Sequence, residues 1–178
     1  MQKLTTLTPP SDEPVTLAEM KLHLRVTAEA EDDALAAMIT AARVAAENFT
    51  GLAFMQQDLR LTLDGFDGAV LELPKTPLIA ITAVTVDGTA KDDYTADIPT
   101  ARIITANLPR PAVPLAGIRI DFTAGFGETA DDVPAPLRQG IKQLVTRLFE
   151  NRGEGIEAAL MLSGAAALFQ PYRRMRIA

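Results

Sequence analysis

At 178 residues, 48% of them hydrophobic and 5% aromatic, the chain is long enough to bury roughly 70% of the surface that its unfolded form exposes. No cysteine and one histidine exclude a disulfide framework, thiolate metal ligation and His-rich zinc chemistry. The formal charge of −6 is uneven: residues 1–137 hold 10 Lys/Arg against 20 Asp/Glu, residues 138–178 hold 7 against 3, and so acidic a body repels nucleic acid.

Residues 1–13 are polar and proline-bearing and read as a flexible arm. The start MQKLTTLTPPSDEP lacks the basic-then-apolar plan of a signal peptide, and no apolar run approaches the ~18 residues of a membrane span, so a soluble protein made in the cytoplasm is expected. In VTLAEMKLHLRV, Thr16 with Glu19 three residues on forms a capping box, and Leu17, Met20 and Leu24 share one face, which predicts a helix over about 17–25. DDALAAMITAARVAAENFTG sets Leu35, Met38, Ile39, Ala42, Ala45, Ala46 and Phe49 at helical spacing and stops at Gly51, a second helix over about 33–50. The period then shortens. LRLTLDGF, AVLELP, IAITAVTVDG, YTAD, ARIITAN and GIRIDFTAG alternate or are β-branched between Gly, Pro and Asp signals, an antiparallel sheet or sandwich over about 56–124.

DDVPAPLRQGIKQLVTRLFENRG returns to helical spacing over about 133–151, with Leu137, Ile141, Leu144, Val145 and Leu148 on one stripe, Asp131 or Asp132 as cap and Gly153 as stop. Residues 154–178 read as a C-terminal arm, Ala/Gly-rich and then basic after Pro171. The order helix, helix, strands, helix, tail is α+β: a helical core with an inserted antiparallel β region, forming one domain over 14–153.

Gly125-Phe126-Gly127 falls between the last strand and the third helix. A phosphate loop needs G-x-G-x-x-G or G-x-x-x-x-G-K-[ST]; the third glycine and the Lys-Ser/Thr pair are missing, and Glu128, Asp131 and Asp132 would repel phosphate. Gly125 and Gly127 therefore read as a structural hinge. Those acids, with Asp121, have the oxygen ligands of a divalent cation but match no EF-hand, and capping accounts for Asp131 and Asp132. No G-x-S-x-G occurs, and His23 sits on the first helix, where a surface or half-buried place accounts for it. No catalytic residue, metal or cofactor is expected. The tail PYRRMRIA concentrates Arg173, Arg174 and Arg176 with Tyr172, Met175 and Ile177, and Arg and Tyr are residue types that anchor interfaces. Its readings are a partner-docking arm, a solubilising end, or a nucleic-acid contact.

Taken in order, VTLAEMKLHLRV, DDALAAMITAARVAAENFTG, LPKTPLIAITAVTVDG, IRIDFTAGFGETADDVPAPLRQGIKQLVTRLFENRGE and PYRRMRI resemble the head-tail connector (adaptor) proteins of long-tailed phages and related gene transfer agents, over about residues 14–178. The resemblance implies a structural virion protein at the head-tail interface, not an enzyme. It implies a dodecameric ring under the portal protein, extending a DNA channel through which the duplex passes without specific binding, and a docking surface for a stopper or tail-completion protein. No membrane partner is implied. The portal-binding segment would fall on Tyr172, Arg173, Arg174, Met175, Arg176 and Ile177. An acidic channel lining agrees with this, because it lets DNA slide rather than adhere. Two other functions stay open on the residues alone: a DNA-packaging accessory or nucleic-acid-binding module using the basic tail, and a hydrolase using the acids near 121–132.

Overall fold

The computed structural model describes residues 2–105, 111, 112 and 116–174. In chain order its regular elements are β1 (Gln2–Thr8), α1 (Leu17–Leu24), α2 (Asp32–Thr50), β2 (Gln57–Leu63), β3 (Val70–Glu72), β4 (Leu78–Val86), β5 (Thr89–Ala90), β6 (Tyr94–Asp97), β7 (Arg102–Thr105), β8 (Ile118–Ala124), α3 (Ala135–Glu150), α4 (Ile156–Leu162) and α5 (Ala165–Phe169). The fold is α+β, as the patterning predicts. The chain divides into two compact units rather than the expected single domain: the segment ending at Pro10 joins Gln56–Gly125, and Ser11–Met55 joins the chain from Phe126 onward.

The first unit is all β. Its five-stranded antiparallel sheet runs β1-β2-β8-β4-β5, and a three-stranded sheet runs β3-β7-β6. Register follows the apolar alternation: Leu59, Leu61 and Leu63 of β2 stand opposite Phe122, Ile120 and Ile118 of β8, and Ile120 and Ile118 stand in turn opposite Val84 and Val86 of β4. All of these are buried, so a one-residue slip would turn the whole set to water. On the other face of the same pairing, Arg60 clamps Asp121 through two hydrogen bonds of 2.6 Å.

The expected N-terminal arm is corrected to a strand. Residues Gln2–Thr8 pair antiparallel with β2, Leu4 opposite Leu61. The sequence hid this because a threonine-rich run beside Pro9 and Pro10 has no apolar stripe, and six of its seven side chains are exposed. Backbone hydrogen bonds to β2, which no local pattern reports, hold it in place.

The second unit is helical. Leu35, Ile39, Ala42 and Ala46 of α2 and Leu137, Ile141, Leu144 and Val145 of α3 form its core, together with Met20 of α1. The Thr16–Glu19 capping box is present: the Glu19 N–H donates to the Thr16 hydroxyl at 3.2 Å, and the Thr16 N–H donates to the Glu19 carboxylate at 3.0 Å. That backbone N–H, assisted by the Lys142 ammonium, holds the Glu19 carboxyl below its ordinary range. Helix α2 ends where Gly51 takes φ 78°, supplying the left-handed cap.

Residues 154–169, expected as part of an arm, form α4 and α5 and close the core. Ala159, Leu160, Ala165 and Phe169 are buried, and Gly164 at φ 79° makes the corner between the two helices. The space for Phe169 comes from α3. A Cβ at Gly140 would lie 2.3 Å from the Phe169 ring, so the glycine that weakens α3 as a helix is the seat of α5. Arg147 fixes the connection by donating to both Glu154 carboxylate oxygens, at 2.7 and 2.9 Å.

Helix α2 also carries a buried polar cluster. Arg43 and Glu47 are 7% and 5% exposed. Arg43 Nε donates to Glu13 at 2.7 Å, and Glu47 Oε1 accepts the Phe54 N–H at 2.8 Å. The pair thereby ties the segment before α1 and the segment after α2 to one helix. No helix among the described residues is long and apolar enough to cross a membrane.

Candidate functional site

The chain leaves β8 through Gly125, whose φ of 147° suits glycine and whose N–H donates to the Pro77 carbonyl at 2.9 Å. The next residue, Phe126, donates its N–H to the Phe54 carbonyl at 3.2 Å and packs on the helical core. Gly127 is required for a different reason. A Cβ there would stand 2.3 Å from the Asp132 carboxylate. Asp132 accepts from the Thr129 N–H at 2.9 Å and the Thr129 hydroxyl at 2.8 Å, and the N–H, with the hydroxyl second, holds its carboxyl below the ordinary range.

The acids are therefore arranged differently from the expectation. Asp132 closes a capping box with Thr129 over the short 3-10 turn Ala130–Asp132, and Pro134, not an aspartate, stands at the N-cap of α3. Asp131 accepts from Arg138 at 2.6 Å, and Asp121 is the partner of Arg60. Local capping rules placed an aspartate at the helix start; the intervening Val133-Pro134 extends the backbone and separates the two turns. Among the described residues, no three His, Cys, Asp or Glu side chains converge to hold a metal ion. His23 is exposed on α1.

The tail is the second candidate. Tyr172, Arg173 and Arg174 are described; Met175, Arg176 and Ile177 lie outside the described residues. The first three are seated on the domain body rather than extended from it. Tyr172 packs half-buried on the helical core. The Arg173 guanidinium stands 5.3 Å from the centre of the Phe49 ring, a cation–π contact of about 0.5–1 kcal/mol at an exposed site. The Arg174 N–H donates to the Thr50 carbonyl at 2.9 Å, and its side chain passes over Gly51, 3.7 Å from where a Cβ would be. Phe49, Thr50 and Gly51, the end of α2, thus form the seat of the tail. Sequence reasoning gave Phe49 a place on the apolar face, Gly51 the stop and Thr50 no role, because a contact across more than a hundred residues has no local signature.

With this geometry in view, the likeness to known proteins is informative. Residues 14–112 match the family model described as Phage gp6-like head-tail connector protein. No curated protein matches the chain. Among solved structures, the chain is similar at 30% identity to a chain in the neck of an empty gene transfer agent particle computed with C6 symmetry, with a TM-score of 0.81 over 99% of this chain and 97% of that one. It is also similar, again at 30% identity, to chains in the virion of a native gene transfer agent particle (TM-score 0.79, 98% and 97% covered) and in the neck of a native particle computed with C12 symmetry (TM-score 0.78, 100% and 97% covered). The family model spans the helical start and most of the sheet region, the structures span the whole chain, and the chain belongs to the phage gp6-like head-tail connector family, proteins whose role is structural.

Proposed function

We propose that the chain is a head-tail connector of a phage or gene-transfer-agent particle, forming a dodecameric ring beneath the portal. The ring continues the DNA channel without gripping the duplex and offers its far side to a stopper or tail-completion protein. The observation that carries this reading is the likeness to neck chains over nearly the full length of both partners, in assemblies computed with sixfold and twelvefold symmetry. The acidic composition supports it, since clustered cations are what a DNA-gripping ring needs.

The portal contact is assigned to Tyr172, Arg173, Arg174, Met175, Arg176 and Ile177. One exposed arginine pair contributes only about 0–1 kcal/mol, so a single tail holds a portal subunit poorly. Twelve tails on one ring act at high effective concentration and convert a weak contact into a stable joint. Removing residues 175–178 is expected to leave the melting temperature unchanged and to weaken portal capture by about tenfold or more, the multivalent gain being lost with the contact. A cut at Pro171 removes Tyr172 from the core as well, so it should lower the melting temperature too. Pull-down on portal rings at two salt concentrations reads the first effect and thermal melts the second. Normal capture by both truncated chains would move the docking surface to the domain body.

Gly125 and Gly127 are assigned the turn that takes the chain from strand to helix. Gly127→Ala should cost about 1–3 kcal/mol, the usual result of overpacking, because its Cβ meets the Asp132 carboxylate. Adding Asp132→Ala should return part of that loss. Denaturant titration of the single and double variants checks it, and additive losses would show that Asp132 is not the obstacle.

A further inference from the structure

Helix α2 turns its charges inward. Past Asp33 its only ionisable side chains, Arg43 and Glu47, are buried, whereas its exposed positions, from Ala34 through Ala41 and Val44 to Asn48, carry no charge. The solvated face of an amphipathic helix ordinarily carries charge; this one carries none past Asp33, in a chain with 23 Asp and Glu. Val44 of α2 is 43% exposed, and Met161 and Leu162 of α4 are 60% and 63% exposed. Two open hollows within the same unit share Ile156 in their lining. One, of about 590 Å³, is lined by Ala45, Phe49 and Met161 among others; the other, of about 610 Å³, is lined by Ala34, Ala41 and Leu148 among others. Exposed large apolar side chains grouped beside an uncharged helix face are the kind of surface that another protein covers.

We propose that the α2–α4 face is the contact between neighbouring subunits, covered in the ring by a second copy of this chain. The proposal rests on the ring reading above and names the surface that makes the ring. Charge selects the occupant. Copies of a chain with net charge −6 repel one another when set side by side, and a surface with few outward charges lowers the cost of their approach. The exposed positions of α2 past Asp33 are such a surface, and charges border them: Asp33 is exposed at one end of α2, Glu157 lines one hollow, and Arg152, held by Glu31 at 3.0 Å, lines the other with Glu154. An apolar centre within a polar rim is the usual anatomy of a subunit contact. Symmetry supplies the second argument. Chains of this fold occur in necks computed with C6 and C12 symmetry, where each copy has a neighbour on either side.

The absence of native cysteine gives a clean reporter. Val44→Cys, labelled with benzophenone maleimide and carried into assembled neck particles, is expected to yield a covalent dimer of the chain on irradiation as its main product, and none when the isolated chain is irradiated at high dilution. In parallel, Val44→Glu buries an unpaired carboxylate at the contact and should lower the yield of ring-bearing particles by about tenfold or more, with the isolated chain melting as wild type because Val44 is half exposed. Photoproducts joining position 44 to the portal or a tail protein, or no adduct in particles that visibly carry the ring, would overturn the assignment of the face and leave the ring standing. Particles that hold the wild-type chain without any ring would overturn both.

Discussion

Phe169→Ala is expected to destabilise the chain by about 3–5 kcal/mol, the range for truncating a fully buried phenylalanine. The ring meets Phe54 edge-on with centroids 6.2 Å apart and Phe49 tilted at 6.4 Å, and it lies on the gap left by Gly140. Its loss therefore opens a cavity over Gly140 beside Phe49 and Phe54. The effect should reach the tail. Helix α5 runs into the short turn that carries Tyr172, so freeing α5 also loosens the seat of Arg173 and Arg174. Gly140→Ala approaches the same contact from the other side and should cost about 1–3 kcal/mol by collision with the ring. Guanidinium unfolding of both single variants and the pair gives the answer; a Phe169→Ala loss below about 1 kcal/mol would mean that α5 is not docked in solution.

Glu47→Ala should cost about 3 kcal/mol, in the range for breaking a buried ion pair, because it leaves Arg43 with one fewer carboxylate and takes away the acceptor of the Phe54 N–H. Glu13→Ala removes the other carboxylate bound to Arg43, but from a side chain 27% exposed, where water replaces part of what is lost; its cost should be about 1 kcal/mol. Glu47→Gln separates the two roles of Glu47, since an amide oxygen can still accept the Phe54 N–H while the charge is gone. The expected order of stability is wild type, Glu13→Ala, Glu47→Gln, Glu47→Ala. Equal losses for Glu13→Ala and Glu47→Ala in urea titration would refute the ranking.

The helices were legible where local chemistry decides them. Thr16 and Glu19 make their box within one turn, and Gly51 ends α2 by backbone conformation, so both boundaries could be read from neighbours in sequence. The register of β2 against β8 was legible only as alternation, because the pairing of Leu61 with Ile120 joins distant segments. Three features were not legible. Strand β1 has no buried stripe to announce it. The inward turn of Arg43 and Glu47 contradicts the rule that charges face water, and only the positions of Glu13 and Phe54 explain it. The docking of α5 depends on a glycine in the middle of α3 that, in sequence, reads only as a weak point. As for the candidate site, the arginines and tyrosine of the tail were visible as a cluster, but that Phe49 and Thr50 hold its first half could not be seen without the fold.

The division of the chain into two discontinuous units fixes the order in which they can close. The first unit needs the stretch ending at Pro10 and then Gln56–Gly125, so all of it has been made once β8 has been made. The second needs Ser11–Met55 and the chain from Phe126 onward, so α1 and α2 are synthesised early and their partners α3, α4 and α5 last. On a ribosome the sheet unit is complete while Leu35, Ile39, Ala42 and Ala46 still lack the surface that buries them. The long loop that joins the halves of the helical unit contains most of the sheet unit, and folding that sheet shortens the effective loop and reduces the entropy cost of bringing α3 back to α2. The β region is in this sense an insertion in the helical unit, and that unit can bury its core only after the chain from Phe126 onward has been made and has returned to α1 and α2.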